Sequence, residues 1–106
     1  MFRIQFIKES AKDWRKLDNS VKLELKKNLQ PRLQDPMVES SRLRGDLSDC
    51  YRIRAPKSGY RLVYKVENET LVILVIAVGK RDDAEVYRSA AIRLGRMDEQ
   101  GKGESS

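Results

Sequence analysis

Arg52, Arg54, Arg61, the pair Lys80-Arg81 and Tyr87 are the side chains of this chain best suited to chemistry. They offer fixed positive charge and a phenol, a set that suits negative charge gathering on phosphate oxygens. Composition closes other routes. With no histidine, a histidine-based nucleophile triad and the imidazole acid–base pair are absent. No Asp-x-Asp pair stands ready for a two-metal phosphodiesterase, and there is no Gly-rich phosphate loop or Walker signature. Cys50 is the sole cysteine, so zinc lacks its usual ligands; neither a metal nor a cofactor is expected.

Strand parity gathers these cations. In Tyr51-Arg52-Ile53-Arg54, Tyr51 and Ile53 face a core, which leaves Arg52 and Arg54 on the opposite face. In the following strand Tyr60, Leu62, Tyr64 and Val66 form the apolar set, and Arg61, Val63 and Lys65 the other. A hairpin register that joins the two charged faces makes Arg52, Arg54 and Arg61 one cationic patch. Lys80 and Arg81 leave the next strand where they can reach it. Solvated sheet faces also carry Arg and Lys without function, and Tyr87 sits on the apolar stripe of its helix with Ala84, Ala91 and Leu94, where a core tyrosine looks the same.

The elements that must hold these residues follow from periodicity. Phe2 to Ile7 alternates as a half-buried strand. Ser10 to Leu17 is helical, with Ala11, Trp14 and Leu17 on one side. Asp18-Asn19-Ser20 gives turn and N-cap chemistry for a second helix, with Val21, Leu25, Leu29 and Leu33 as its stripe, and the two helices form an antiparallel hairpin. Pro31 kinks or ends the second. A polar connection runs from Asp35 to Asp49. Three strands follow, at Tyr51 to Ala55, Tyr60 to Val66 and Thr70 to Val78. The last is apolar throughout, as befits a central strand covered on both faces, and Gly79 breaks it. Asp82-Asp83-Ala84-Glu85 reads as a capping start for a final helix. The order β-α-α-β-β-β-α predicts an α+β fold, its antiparallel meander completing a curved sheet. Residues 1–94 form one domain, and 95–106, rich in Gly, Ser and charge, a disordered polar tail.

At 106 residues, 40% hydrophobic and 36% charged, the chain builds one modest core. Its net charge is +6, and the segment 95–106 is acidic on balance, so the domain itself is more basic still. That favours a polyanionic partner, nucleic acid first. The longest apolar run, Leu71 to Val78, is too short for a membrane span of ~20 residues, and the N-terminus lacks a signal peptide's apolar block. A lone cysteine fits a reducing, cytoplasmic setting.

Several stretches together resemble the RelE family of toxins: Trp14-Arg15-Lys16-Leu17, Leu43-Arg44-Gly45, Asp49-Cys50-Tyr51-Arg52-Ile53-Arg54, Ser58-Gly59-Tyr60-Arg61-Leu62-Val63-Tyr64, Val78-Gly79-Lys80-Arg81 and Glu85-Val86-Tyr87. The similarity spans residues 1 to about 94. It implies a sheet-and-helix fold related to small microbial ribonucleases, and ribosome-dependent cleavage of mRNA in the decoding site. It also implies neutralisation by a cognate RelB-like antitoxin, with operator DNA met only through that complex, and no membrane. Arg61 and Arg81 match the family's phosphate-stabilising arginines, and Tyr87 its helix tyrosine, implicated in stacking or 2′-hydroxyl chemistry. Arg52 and Arg54 stand where the best-known members have lysines. Arg44, Lys80, Lys65, Lys22 and Lys26 are the candidates for gripping mRNA or rRNA phosphates.

The reaction expected is attack of a 2′-hydroxyl on the adjacent phosphate, giving a 2′,3′-cyclic phosphate and a free 5′-hydroxyl without metal. Arginine stays charged where lysine can give up a proton, so Arg52 and Arg54 position and stabilise, and deprotonation falls to Tyr87, solvent or the ribosome. Two rivals come from other classes. One is a non-catalytic inhibitor of DNA gyrase resembling the ParE branch, against which Arg61, Arg81 and Tyr87 together weigh. The other is a binding module that acts with its antitoxin in transcriptional autoregulation.

Overall fold

Phe2, Ile4 and Phe6 point one way and Arg3 and Gln5 the other, and this alternation forms the first strand, β1 (Arg3–Phe6). In a computed structural model of the chain, which describes residues 1–80 and 84–105 with side chains through 97, helices α1 (Lys8–Arg15) and α2 (Asn19–Leu29) follow. Then come strands β2 (Cys50–Ala55), β3 (Tyr60–Glu67) and β4 (Val72–Lys80), and helix α3 (Glu85–Ser105). The sheet runs β1-β4-β3-β2. The α+β architecture and the antiparallel meander of β2, β3 and β4 are as expected, and β1 joins β4 in parallel, which makes the whole sheet mixed. Alternation sets which face is buried and carries no information about strand direction.

Two cores lie on the two faces. Val21, Leu25 and Leu29 of α2 pack on Tyr51, Ile53, Leu62, Tyr64, Ile73 and Val75, with Trp14, Leu17 and Phe6 closing the side. On the other face Val86, Ala90 and Leu94 of α3 cover Cys50, Val63, Ile76 and Ala77, with Leu47 below. β4 is apolar throughout because it serves both.

Helix ends follow residue chemistry in part. Asp18 is the extended N-cap of α2, yet its side chain makes no capping bond. Pro31 ends the α-helix, and the chain passes into a 3-10 turn, Gln30–Leu33. The polar connection beyond is held by 3-10 turns Glu39–Ser41 and Gly45–Leu47 and by a bridge of Arg42 to Tyr51. Gly79 does not break β4, which reaches Lys80. α3 passes Leu94 and Gly95 to Ser105, where composition argued for an irregular tail. Met97 packs on the second core and Arg96 lies 3.9 Å from Glu9, contacts that carry the helix through the glycine. Arg81, Asp82 and Asp83 lie outside the described residues, and with them the expected capping start of α3.

Candidate active site

The site begins with the β2–β3 hairpin. Arg54 is the register partner of Arg61 and Arg52 of Val63, so the three arginines share a face, as parity predicts. Val63 fixes which face it is: the one under α3. Arg52 and Arg61 are half-buried and Arg54 is exposed. The hairpin turns at Gly59, whose φ of 76° suits glycine, and Gly59 N–H donates to the Ala55 carbonyl at 2.8 Å. Glu24 of α2 fastens the turn, accepting the Lys57 and Ser58 peptide N–H groups at 2.9 and 3.0 Å. Desolvation pushes the Glu24 carboxyl up, but these hydrogen bonds and the Lys57 charge outweigh it and hold the group below its ordinary range.

A bulge decides what comes beside Arg61. Val63 pairs with Ala77 but Tyr64 with Val75, so Ile76 is an extra residue in β4. Past it the parity of β4 reverses, and Gly79 stands opposite Arg61. A Cβ at Gly79 would lie 3.1 Å from the Val86 Cβ, so the glycine lets α3 sit close on the strand. One residue further along α3, the Tyr87 hydroxyl accepts a hydrogen bond from Arg61 Nη1 at 2.7 Å, and the guanidinium carbon lies 5.9 Å from the ring centre. Tyr87 is half-buried and packs on the second core. It is a packing residue and a polar neighbour of Arg61 at once.

The same bulge removes Lys80 from the patch. Its register partner is Tyr60, on the face under α2, where an unbroken ladder would have turned it to the face that carries Arg61. Lys65 shares the arginines' face but lies opposite Cys50 and Leu74, 3.7 Å from Glu67. There the Cys50 thiol is pushed up to about 11 by burial, against the pull of Lys65 and with Asp49 adding to the rise. Arg44 is exposed beside Gly45, on a separate depression with Arg42 and Ser48. Lys22 and Lys26 belong to α2, in the layer behind the sheet. The structure thus brings together Arg52, Arg54, Arg61 and Tyr87; Arg81 lies outside the described residues.

Three supporting groups escaped sequence reasoning. Glu24 is one. The second is the pair Asp13–Arg93, 2.7 Å apart and largely buried, which seals β4 beyond Phe6, the last paired residue of β1. Val78 N–H donates to Asp13 at 3.2 Å, and Arg93 donates to the Ile76 carbonyl at 2.8 Å, so the pair also anchors α3. The third is Arg32, which donates to the Arg52 carbonyl, the Tyr64 hydroxyl and Ser41 Oγ. Each works across 20 or more residues of chain or inside a connection without periodicity, so no local signal marked it. Only the position of Arg32, beside Leu33 at the end of the α2 stripe, was visible in advance.

A family model described as ParE toxin of the type II toxin–antitoxin system parDE matches residues 4–85. The mRNA interferase toxin RelE of Escherichia coli K12 is 46% identical over 91 residues, 86% of this chain and 95% of that one. Among solved structures, the isolated E. coli RelE toxin superposes with a TM-score of 0.72 at 44% identity, covering 89% of this chain and 99% of the other. The toxin in the intact E. coli RelBE toxin–antitoxin complex gives 0.71 at 45%, covering 76% and 96%.

Proposed function

The chain belongs to the RelE family of type II toxins, and on that premise we propose that its arginine patch is the active centre of an endoribonuclease that cuts messenger RNA. The observation that carries the reading is the 2.7 Å contact of Arg61 with Tyr87, formed on the face where Arg54 stands opposite Arg61. Relatives identical at nearly half of the aligned positions are mRNA interferases, which favours RNA over the gyrase target of the ParE branch. An antitoxin is its partner, as in the solved RelBE complex. The ribosome supplies the mRNA and orients it. No described helix is long and apolar enough to cross a membrane.

The chemistry runs on RNA's own nucleophile. The 2′-oxygen attacks the adjacent phosphorus and gives up its proton, the bond to the 5′-oxygen breaks, and that oxygen leaves as a hydroxyl after taking a proton. Negative charge peaks on the non-bridging oxygens in between. Arg61, with Arg52 and Arg54 across the hairpin, is placed to meet that charge with rigid donors already held by the sheet. Arg81 is assigned to the same work by its match to the family. Tyr87, its hydroxyl bound to Arg61, faces either a base or the 2′-hydroxyl. Arginine does not exchange protons near neutral pH, so proton removal falls to Tyr87, solvent or a ribosomal group.

Primer-extension mapping of mRNA ends in a translating extract tests this. Arg61→Ala should lower the cleavage rate by about 10²–10³, the usual loss for one preorganised donor, with the melting temperature kept. Undiminished cuts in a folded Arg61→Ala protein would overturn the assignment, and growth arrest with intact mRNA and damaged DNA would select the gyrase reading.

A further inference from the structure

β2 is the outermost strand, and along its outer edge runs an open groove of about 760 Å³ between α2 and the Glu39–Ser41 turn. Lys27, Arg32, Arg52 and Arg54 line it with Asn28 and Ser41, and among the described residues no carboxylate does. Elsewhere four arginines are paired with carboxylates, Arg42 with Glu39, Arg88 with Glu85, Arg93 with Asp13 and Arg96 with Glu9. Among the described residues none of the four groove cations has such a partner.

Arg32 makes the arrangement specific. Its guanidinium is half-buried, and its acceptors are all neutral, two oxygens for Nη1 and Ser41 Oγ for Nη2 at 2.9 Å. Hydrogen bonds of this kind orient a guanidinium without an ion-pair partner, and partial burial strengthens its field in the groove. The charge of Asp35 also reaches the Tyr64 hydroxyl, but Asp35 does not line the groove. The groove is therefore built to receive an anion. Arg52 and Arg54 border both it and the α3 face, so an anion lying here is continuous with one at Arg61.

We infer that this groove carries the phosphodiester backbone of the RNA strand where it runs on from the scissile linkage over the β2 edge. This rests on the reading of the α3 face as a ribonuclease site. An acidic peptide is the weaker occupant. None of the large exposed apolar side chains, Met1, Leu23, Met37, Leu71 and Ile92, lines the groove, so a peptide would find charge there and little to anchor its own apolar residues.

The test compares a 2′-O-methylated dinucleotide with a 2′-O-methylated octanucleotide, neither of which can be cut, on the intact chain. The octanucleotide should bind more tightly to the unaltered protein. Lys27→Gln and Arg32→Gln should each shrink that length advantage about three- to tenfold and flatten the salt dependence of log Kd by about 0.7 for each phosphate that is no longer neutralised. Arg32 also braces the strand, so thermal melting accompanies its variant; Lys27 is exposed, and its variant decides the matter if Arg32→Gln does not fold. An unchanged length advantage and salt slope in Lys27→Gln would overturn the inference. So would variants that keep octanucleotide binding and lose an acidic peptide. Dinucleotide affinity that ignores Arg61→Ala would instead count against the ribonuclease site, whatever the groove does.

Discussion

The two faces of the sheet are filled differently along the same strands. Under α1 and α2 the apolar rows run the length of the hairpin, from Tyr51 and Tyr64, stacked with ring centres 5.6 Å apart, through Ile53 and Leu62 to Ala55 and Tyr60. Under α3 they stop halfway. Cys50 and Val63 are covered, and beyond them the same rows continue as Arg52, Arg54 and Arg61. One face supplies rigidity and the other, left half-covered, presents charge on strands that cannot yield. Guanidinium groups fixed in this way need little reorganisation when negative charge develops between them.

If that division is right, damage to the filled face should cost stability and damage to the open face should cost turnover. The largest stability effect belongs to Leu25, fully buried on α2. Leu25→Ala should destabilise the protein by about 2–5 kcal/mol in urea unfolding. Cleavage per folded molecule should stay within a factor of about two. A tenfold loss in the folded fraction would mean that the filled face shapes the site directly.

Gly79→Ala acts at the boundary. The new methyl would press on the Val86 Cβ at 3.1 Å, so α3 must retreat by a few tenths of an ångström. Overpacking of this sort costs about 1–3 kcal/mol. Tyr87 moves with α3 away from Arg61, and turnover by folded protein should fall about three- to tenfold, since positioning errors well below 1 Å already slow catalysis. Stability loss without a turnover loss would show that the Arg61–Tyr87 contact is packing alone.

These cases also mark what the sequence could reveal. The shared face of Arg52, Arg54 and Arg61 was legible because both strands alternate and a hairpin joins them. The place of Lys80 was not, because the bulge at Ile76 falls in a run apolar on both faces, where an extra residue leaves no trace in the pattern. Gly79 reads as a strand breaker in isolation, and its role is a close approach to a helix that begins six residues later. Asp13 and Arg93 stand 80 residues apart, and only the missing stretch of β1 beside β4 creates the need for them.

A smaller effect is expected from acid at the hairpin turn. Folding lowers the Glu24 pKa below its ordinary 4.5, so its hold on Lys57 and Ser58 is complete above about pH 4.5 and is lost as pH falls through the folded value. The carboxylate is only half-buried and stays in contact with solvent, which keeps the contribution small. Amide exchange at Lys57 and Ser58 should accelerate on acidification relative to the rest of β2 and β3, and Glu24→Gln should remove that difference. Equal acid response in both proteins would release the turn from Glu24.

The smallest change should come from the far end of the sheet, and it runs the other way. Leu71 carries a φ of 56° in the turn between β3 and β4, a left-handed conformation that costs a residue with a Cβ about 1–2 kcal/mol. Its carbonyl accepts the Arg3 N–H at 2.8 Å where β1 joins the sheet, so the backbone is held there by strand pairing and not by the side chain, which is about half exposed. Leu71→Gly relieves the strain but gives the unfolded chain more freedom, which returns about 0.5–1 kcal/mol. The balance is a gain of about 0.5 kcal/mol. Cleavage should be unchanged, because this turn lies at the other end of β3 and β4 from Arg61 and Gly79. A loss of stability would mean that the exposed leucine contributes more by packing than its backbone loses to strain.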